Sequence, residues 1–352
     1  MSDVFRTLEN WRAAGDLVVL ATVINVDGSA PREPGAKMLV SAQGKISGSV
    51  SGGCVEAAVA EEAQSVLASG QPKIVRYGIN RNMVWDVGLA CGGAIDVFID
   101  PDGGPPSFEP LTDDETAWAL CTVVRGAGVG SKVAVWPHGR IDGMAGDLAL
   151  RAHIVHAALA QLLAGSSRVV AIGDCEIFID VLRPAPRLII VGAVHVAVAL
   201  CEFATRAGFD VTVIDPRARL NDFERFPKAR ARVVEWPDAV LRKLRMDDDT
   251  YVAVLTHDAK FDDPTLDLVL RSSTRYVGAI GSKKTQALRR ARLVESGIPS
   301  TAVDRLHAPI GLDIGARSPE EIAVAILAEM IAVRYGHRGS PLKDRVADRI
   351  HA

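Results

Sequence analysis

The sequence has few cysteines, and their arrangement excludes several kinds of protein. Five cysteines are scattered along 352 residues, and no two of them form a Cys-x-x-Cys pair. They are Cys54, Cys91, Cys121, Cys175 and Cys201. An odd and unpaired set is not the framework of a disulfide-stabilised protein, of a four-thiolate zinc site or of a ferredoxin-type cluster. Any role for cysteine here must therefore come from individual thiols.

Long apolar runs and an excess of one charge are also missing. The longest apolar run, Leu188–Cys201, is too short to span a bilayer and contains His195. The first sixteen residues carry charges throughout and lack the apolar core of a signal peptide. Forty basic against forty-three acidic side chains leave a net charge of -3, which gives no overall case for nucleic-acid binding. We therefore expect a cytoplasmic protein with no membrane span and no nucleic-acid partner.

The first half of the chain reads as an internal duplication. A chain of 352 residues exceeds what one hydrophobic core usually supports, so two or more domains are expected. Within residues 1–184, one unit over 16–101 is echoed by a second over 115–184. The echoed segments are Leu20–Ile24 and Leu120–Val124, Lys37–Val40 and Lys132–Val135, and Val97–Asp100 and Ile177–Asp180. With an Ala-rich helix in each, both units read strand, strand, turn, helix, strand, which predicts a duplicated α+β domain.

The two units differ in the segments that carry chemistry. The first has Gly48–Cys54 before its helix and Cys91-Gly92-Gly93 before its last strand. The second keeps the scaffold but lacks both Gly-Gly-Cys segments. Since maintaining the fold does not require these segments, we predict that the site belongs to the first unit.

The Gly48–Cys54 segment has the composition of an anion site. Gly52 and Gly53 allow consecutive N–H groups to curl into a nest for phosphate, next to the positive end of a helix that starts near Cys54. The same helix end favours a thiolate, so Cys54 is a candidate nucleophile, sulfur carrier or metal ligand; the alternative is a small residue that fills space. Glu56 is interpreted as a side chain that complements the helix dipole, with a catalytic role as its alternative. Arg32 either binds a second anionic group or lies in a solvated turn.

Residues 185–336 alternate strands and helices, which predicts a Rossmann-like, doubly wound parallel sheet followed by a polar tail over 337–352. Asp215 ends the second strand, where this fold places its ribose-binding carboxylate. However, Val194 stands where a dinucleotide fingerprint needs its second glycine, so NAD(P) binding is expected to be weak. Candidate residues at the carboxyl ends of the strands are His257, Gly281 and Ser282, and His257 has a structural role as its alternative.

Several of these motifs together resemble the XdhC/CoxI family. They are Gly28–Arg32, Gly48–Glu56, Cys91–Gly93, Thr256–Asp258, Gly278–Ser282 and Pro309–Ala316. The resemblance spans nearly the whole chain and implies a maturation factor for molybdenum hydroxylases such as xanthine dehydrogenase. Such a factor binds the molybdenum cofactor, supports its sulfuration by a cysteine desulfurase and delivers it to the apoenzyme. Val194 departs from the Gly-Ala-Gly-His that the family usually has at this point.

The resemblance and the residue chemistry together assign the candidate site. The phosphate of molybdopterin suits the nest, and its molybdenum–sulfur centre suits the soft thiolates of Cys54, as metal ligand, or Cys91. The predicted cofactor-binding residues are Arg32, Ser49, Ser51, Gly52, Gly53, Cys54, Asp215, His257, Gly281 and Ser282. A homodimer is expected, and five scattered cysteines do not make a complete xanthine dehydrogenase. The alternatives are an NAD(P)-dependent oxidoreductase, with His257 or Lys283 near the reacting carbon, and an interaction scaffold without a cofactor site.

Overall fold

The computed structural model of the chain describes residues 3–78, 92–105, 116–144 and 148–344. The chain divides into two compact units, Met1–Pro184 and Ala185–Ala352. Each unit has its own hydrophobic cores.

The first repeat of the N-terminal unit is an antiparallel sheet with two helices. Helix α1 (Asp3–Ala13) precedes the sheet, and helix α2 (Glu56–Ser69) lies between its third and fourth strands. The strands are β1 Val18–Asp27, β2 Lys37–Ser41, β3 Ile46–Gly48, β4 Lys73–Gly78 and β5 Ala94–Asp100. Their order across the sheet is β3-β2-β1-β5-β4.

The second repeat builds the same sheet again. Its strands are β6 Trp118–Arg125, β7 Lys132–Val135, β8 Ile141–Met144, β9 Arg168–Ile172 and β10 Cys175–Leu182, with helix α3 Leu148–Ala164 between β8 and β9. Their order, β8-β7-β6-β10-β9, matches the first sheet strand for strand. The predicted duplicated α+β domain is thus confirmed, with five strands in each repeat rather than three. The missed strands lie at sheet edges, where exposed side chains hide the strand pattern.

The two sheets pack face to face, and helices α2 and α3 cover their outer faces. On β1, Val19 and Ala21 point to the core under α2, together with Val59 of that helix. The intervening Leu20 points the other way, into a core that it shares with Leu120 of the second repeat. Because both faces of the central strands are covered, these strands are apolar along their length instead of alternating.

Two buried ion pairs join the repeats. Lys37 on β2 pairs with Asp180 on β10, and Lys132 on β7 pairs with Asp100 on β5. All four side chains are less than a tenth exposed. Each lysine also donates to a carbonyl oxygen in its own repeat, that of Gly35 or Gly130, over 2.8 Å. Each repeat therefore contributes a lysine to one of the two ion pairs and an aspartate to the other.

The C-terminal unit is a parallel six-stranded sheet with helices on both faces. Its strands are β11 Arg187–Val191, β12 Asp210–Ile214, β13 Ala231–Val233, β14 Thr250–Val254, β15 Tyr276–Ala279 and β16 Leu306–His307. Its helices are α4 His195–Arg206, α5 Pro237–Leu241, α6 Ala259–Leu270, α7 Lys283–Glu295, α8 Ser300–Val303 and α9 Pro319–Arg334. The strand order β13-β12-β11-β14-β15-β16 is that of a Rossmann fold, which confirms the predicted fold class. No helix in the described part of the chain is long and apolar enough to cross a membrane.

Candidate functional site

The loop between β3 and α2 is organised by the carboxylate of Glu56. The side chain of Glu56 turns back from the first residue of α2 into the loop. It accepts hydrogen bonds from Ser49 Oγ at 2.6 Å and from Ser51 through both N, at 2.9 Å, and Oγ, at 2.5 Å. It also accepts from the backbone N–H groups of Gly52 at 3.0 Å and Gly53 at 2.8 Å. One carboxylate thus binds nearly every donor that the loop offers.

This arrangement corrects the predicted phosphate position. Gly52 and Gly53 do have positive φ angles, 78° and 121°, and their N–H groups do point to one concave site. That site holds the carboxylate of Glu56, so a phosphate would first have to displace it. The glycines indicated the nest correctly, but its occupant is a side chain three to four residues further along.

The electrostatics of Glu56 agree with its hydrogen bonds. Partial burial alone would raise the pKa of Glu56. The hydrogen bonds from Ser49 and Ser51 outweigh burial and lower the pKa to about 2. Glu56 is therefore ionised at neutral pH and holds the loop as a fixed anion, beyond the dipole-complementing role predicted for it.

The loop presents Cys54 at the surface. The N–H of Cys54 donates to Ser51 Oγ at 3.0 Å, and its side chain is exposed. An exposed thiol does not fill space in a core, so the alternative predicted for Cys54 does not describe it. Among the described residues, the remaining cysteines, Cys121, Cys175 and Cys201, are buried.

The loop between β1 and β2 lies next to two other sequence motifs of the first repeat. A side-chain carbon on Gly52 would lie 3.9 Å from Pro31, in the loop between β1 and β2. A side-chain carbon on Gly93 would lie only 2.2 Å from the carbonyl oxygen of Ser29, so only glycine fits there. Cys91 itself lies outside the described residues, and its part in the site stays a prediction.

A cavity of about 420 Å³ opens beside the same loop. Its polar lining comes from both repeats: Arg32, Lys37 and Ser49 from the first, and Ser167, Asp180 and Arg183 from the second. Arg32 was predicted as an anion-binding residue, whereas Arg183 was not singled out. The only signal for Arg183 was its position directly after the last strand of the second repeat, where nothing in the sequence showed that it faces the first.

In the C-terminal unit, the predicted ribose-binding carboxylate is already engaged. Asp215 is 1% exposed and accepts hydrogen bonds from the backbone N–H of Ala193 at 2.7 Å and of Arg217 at 2.9 Å. The Arg217 guanidinium binds it twice more, through Nε at 2.9 Å and Nη2 at 2.7 Å. Burial alone would raise the pKa of Asp215, but these bonds lower it. Asp215 therefore does not fit a ribose diol, and Val194 crowds the pyrophosphate path, so the residues present do not fit NAD(P).

The remaining predicted residues of this unit are not gathered in one site. Val194, Arg217 and His257 line a cavity of about 430 Å³ at the carboxyl ends of the strands. Ser282, in contrast, is the N-cap of α7 and accepts from Thr285 N at 3.2 Å. Gly281 precedes that cap with a φ of 141°, so both residues serve the start of a helix.

No group of three or more His, Cys, Asp and Glu side chains in the described ranges is arranged to hold a metal ion.

Comparison with known proteins gives a consistent set of relatives. Residues 11–78 match the model of the XdhC and CoxI family, and residues 188–330 match the model of the XdhC Rossmann domain. The chain is 29% identical to the molybdenum cofactor insertion chaperone PaoD of Escherichia coli, over 91% of this chain and 85% of PaoD. It is 27% identical to a protein of Bacillus subtilis named as a probable subunit of xanthine dehydrogenase, over 90% of this chain and 93% of that protein. A crystal structure described as a xanthine dehydrogenase from Bacillus halodurans is 28% identical and superposes with a TM-score of 0.77, over 97% and 98% of the two chains.

Proposed function

The chain belongs to the XdhC and CoxI family, and from this we propose that it binds the molybdenum cofactor as cargo, supports its sulfuration and delivers it to a molybdenum hydroxylase. The relative named as a molybdenum cofactor insertion chaperone supports the general role. The finer steps, sulfuration with a cysteine desulfurase and transfer to an apoenzyme, are part of the proposal.

One observation carries the proposal to a residue: Cys54 is an exposed thiol in the loop whose Gly52 lies next to Pro31 of the Gly28–Arg32 motif. A thiolate is a soft ligand suited to a molybdenum–sulfur centre. Glu56 fixes the loop through the donors of Ser49, Ser51, Gly52 and Gly53, and this holds Cys54 outward. In this proposal Ser49, Ser51 and the two glycines support the site from behind, and Cys54 contacts the cargo.

A cofactor handler accounts for the chain better than a dehydrogenase does, although two relatives carry the name xanthine dehydrogenase. Five scattered cysteines do not supply the thiolates of iron–sulfur clusters. Asp215 and Val194 also argue against an NAD(P)-dependent reaction in the C-terminal unit. The exposed position of Cys54 leaves the thiol open to a sulfur donor and to a client enzyme. A homodimer and a cytoplasmic location are further parts of the proposal.

The deciding experiment is copurification from a host that makes molybdenum cofactor. The wild-type chain, Cys54→Ser and the matched control Cys175→Ser, in the second repeat, are purified and assayed for molybdenum and for pterin fluorescence. We expect cofactor with the wild type and the control, and a loss of about tenfold or more with Cys54→Ser. Cofactor at the wild-type level in Cys54→Ser, with full activation of a molybdenum hydroxylase, would show that Cys54 does not hold the cargo.

A further inference from the structure

The cavity between the repeats has the charge and donors of an anion site. We infer that it binds a phosphate monoester, with Arg32 from the first repeat and Arg183 from the second as the two principal contacts. The inference deepens the proposed function and rests on it, because the cargo cofactor carries a terminal phosphate.

The loop next to the cavity cannot serve the phosphate, since its N–H donors are bound to Glu56. Ser49 links the two places. Its hydroxyl donates to Glu56 at 2.6 Å and accepts from Gly52 N at 2.8 Å, and it also lines the cavity. A phosphate in the cavity would therefore lie against the same loop that presents Cys54.

The charges in the cavity leave two guanidinium groups for a ligand. Lys37 and Asp180 line it as well, but they form a buried ion pair with each other. Arg32 and Arg183 are exposed, and within the described ranges no carboxylate lies within ion-pair distance of either. Two unpaired arginines at one cavity repel each other unless an anion lies between them. Guanidinium groups match the oxygens of phosphate in a bidentate manner, so these two side chains are the donors that the cavity offers to a phosphate.

The duplication supplies an internal comparison. The strand registers show which residues of the two repeats are equivalent. The cavity-lining residues Gly35, Lys37, Ser167 and Asp180 are equivalent, in that order, to Gly130, Lys132, Pro72 and Asp100 of the opposite repeat. The ion pair is thus kept on both sides, as expected for a structural element. Arg183 corresponds to Gly103, however, and the loop over 126–131, which corresponds to that of Arg32, contains no arginine. Both arginines are therefore present at the Lys37–Asp180 pair, next to the loop with Cys54, and absent at the equivalent Lys132–Asp100 pair. Since the repeats pack in the same way at both pairs, packing alone does not require the arginines.

The test measures the affinity for inorganic phosphate and, in a separate assay, the cofactor content of the purified protein. Inorganic phosphate is titrated by calorimetry into the full chain and into Arg32→Gln, Arg183→Gln and the control Arg125→Gln. Arg125 is an exposed arginine of the same unit, paired with Glu176. We expect each cavity variant to weaken phosphate binding by about tenfold or more, the control to match the wild type, and all variants to keep the wild-type melting temperature. Cofactor content after purification from a producing host should fall in the same two variants, and phosphate in the wash should lower it in the wild type.

The inference and the proposed function fail in different ways. Phosphate binding that is absent from the wild type, or unchanged in both cavity variants, overturns the phosphate site even if the chain still carries cofactor. Arginine-dependent phosphate binding by a chain that never carries cofactor supports the site and overturns the proposed function.

Discussion

Arg217 holds the carboxylate of Asp215 in a bidentate ion pair, with Nε–Oδ1 and Nη2–Oδ2 distances of 2.9 and 2.7 Å. The partners differ in exposure, since the side chain of Asp215 is 1% exposed and that of Arg217 is 46% exposed. The carboxylate that would bind ribose in a dinucleotide-binding Rossmann fold is therefore the counter-ion of an arginine that faces the cavity.

This pair predicts how dinucleotide binding could be restored. We expect no micromolar binding of NAD⁺ or NADH by the wild type or by Val194→Gly, because Asp215 remains engaged in both. The double variant Val194→Gly/Arg217→Ala should bind at least about tenfold more tightly, since it opens the pyrophosphate path and frees the carboxylate. Calorimetric titration tests this, with Val194→Gly/Arg219→Ala as the control. Micromolar binding by Val194→Gly alone would show that the ion pair is no obstacle.

The cysteines are expected to differ sharply in reactivity. Among the four described cysteines, iodoacetamide should modify Cys54 first, because its side chain is exposed. Burial raises the pKa of Cys121 to about 12 and that of Cys201 to about 11, so both should stay unmodified at neutral pH until the chain unfolds. Peptide mass spectrometry at short reaction times measures the order. Modification of Cys121 or Cys201 as fast as that of Cys54 would contradict the burial of these two thiols.

The ion pair between Lys37 and Asp180 should matter to stability mainly when half of it is removed. Lys37→Met leaves a buried carboxylate without its charged partner, which typically costs about 3–5 kcal/mol. Lys37→Met/Asp180→Leu should recover most of that loss, because neither charge remains. Urea unfolding followed by tryptophan fluorescence measures both. Lys45→Met, which removes an exposed partner of Asp16, should cost under about 1 kcal/mol and serves as the control.

Glu56 should give the loop a dependence on acid pH. A carboxyl with a depressed pKa stabilises the folded state fully above its ordinary pKa of 4.5, and this contribution is lost as the pH falls through about 2. The stability difference between wild type and Glu56→Gln should therefore be constant above about pH 5 and shrink toward about pH 2. Near neutral pH we expect about 1 kcal/mol, a low value because the carboxylate is only partly buried.

Urea unfolding at a series of pH values tests this prediction. The control is Glu61→Gln, which removes a carboxylate of the same helix but leaves the hydrogen bonds of Glu56 to the loop intact, so its stability difference from the wild type should change little with pH. Glu56→Gln should also speed the alkylation of Cys54, since a loosened loop exposes the thiol further. An unchanged difference down to pH 2 would mean that the loop does not depend on the ionised carboxylate.

The sequence was sufficient for the fold because apolar runs recur in it. Leu20–Ile24 and Leu120–Val124 are apolar apart from one threonine each, and each lies at the centre of a sheet covered on both faces. The parallel strands of the C-terminal unit are equally apolar, and the alternation of strands with helices predicted the parallel sheet. Edge strands such as Lys73–Gly78 were missed, because a strand with solvent on one side carries charged residues that resemble a loop.

The site was predicted only in part, because its key contacts depend on the directions in which side chains point. The residue types in the sequence do not show these directions. Gly52 and Gly53 indicated a nest, but whether its donors are free depends on the direction taken by the Glu56 side chain. Asp215 was correctly placed at the end of a strand, yet Arg217, two residues later, decides whether it can meet a ligand. Arg183 reaches the cavity only because two repeats pack together.

The two reciprocal ion pairs make the contact between the repeats symmetric, although the loop with Cys54 occurs in only one of them. Each repeat contributes one lysine and one aspartate, so the contact is isologous, as between the two protomers of a symmetric dimer. Two identical chains that met in this way would carry either two cargo sites or none. Joining the repeats in one chain removes that restriction: the shared face is kept twice, whereas the loop with Cys54 occurs only in the first repeat. The second repeat covers the inner face of the first and contributes Arg183 to the cavity between them.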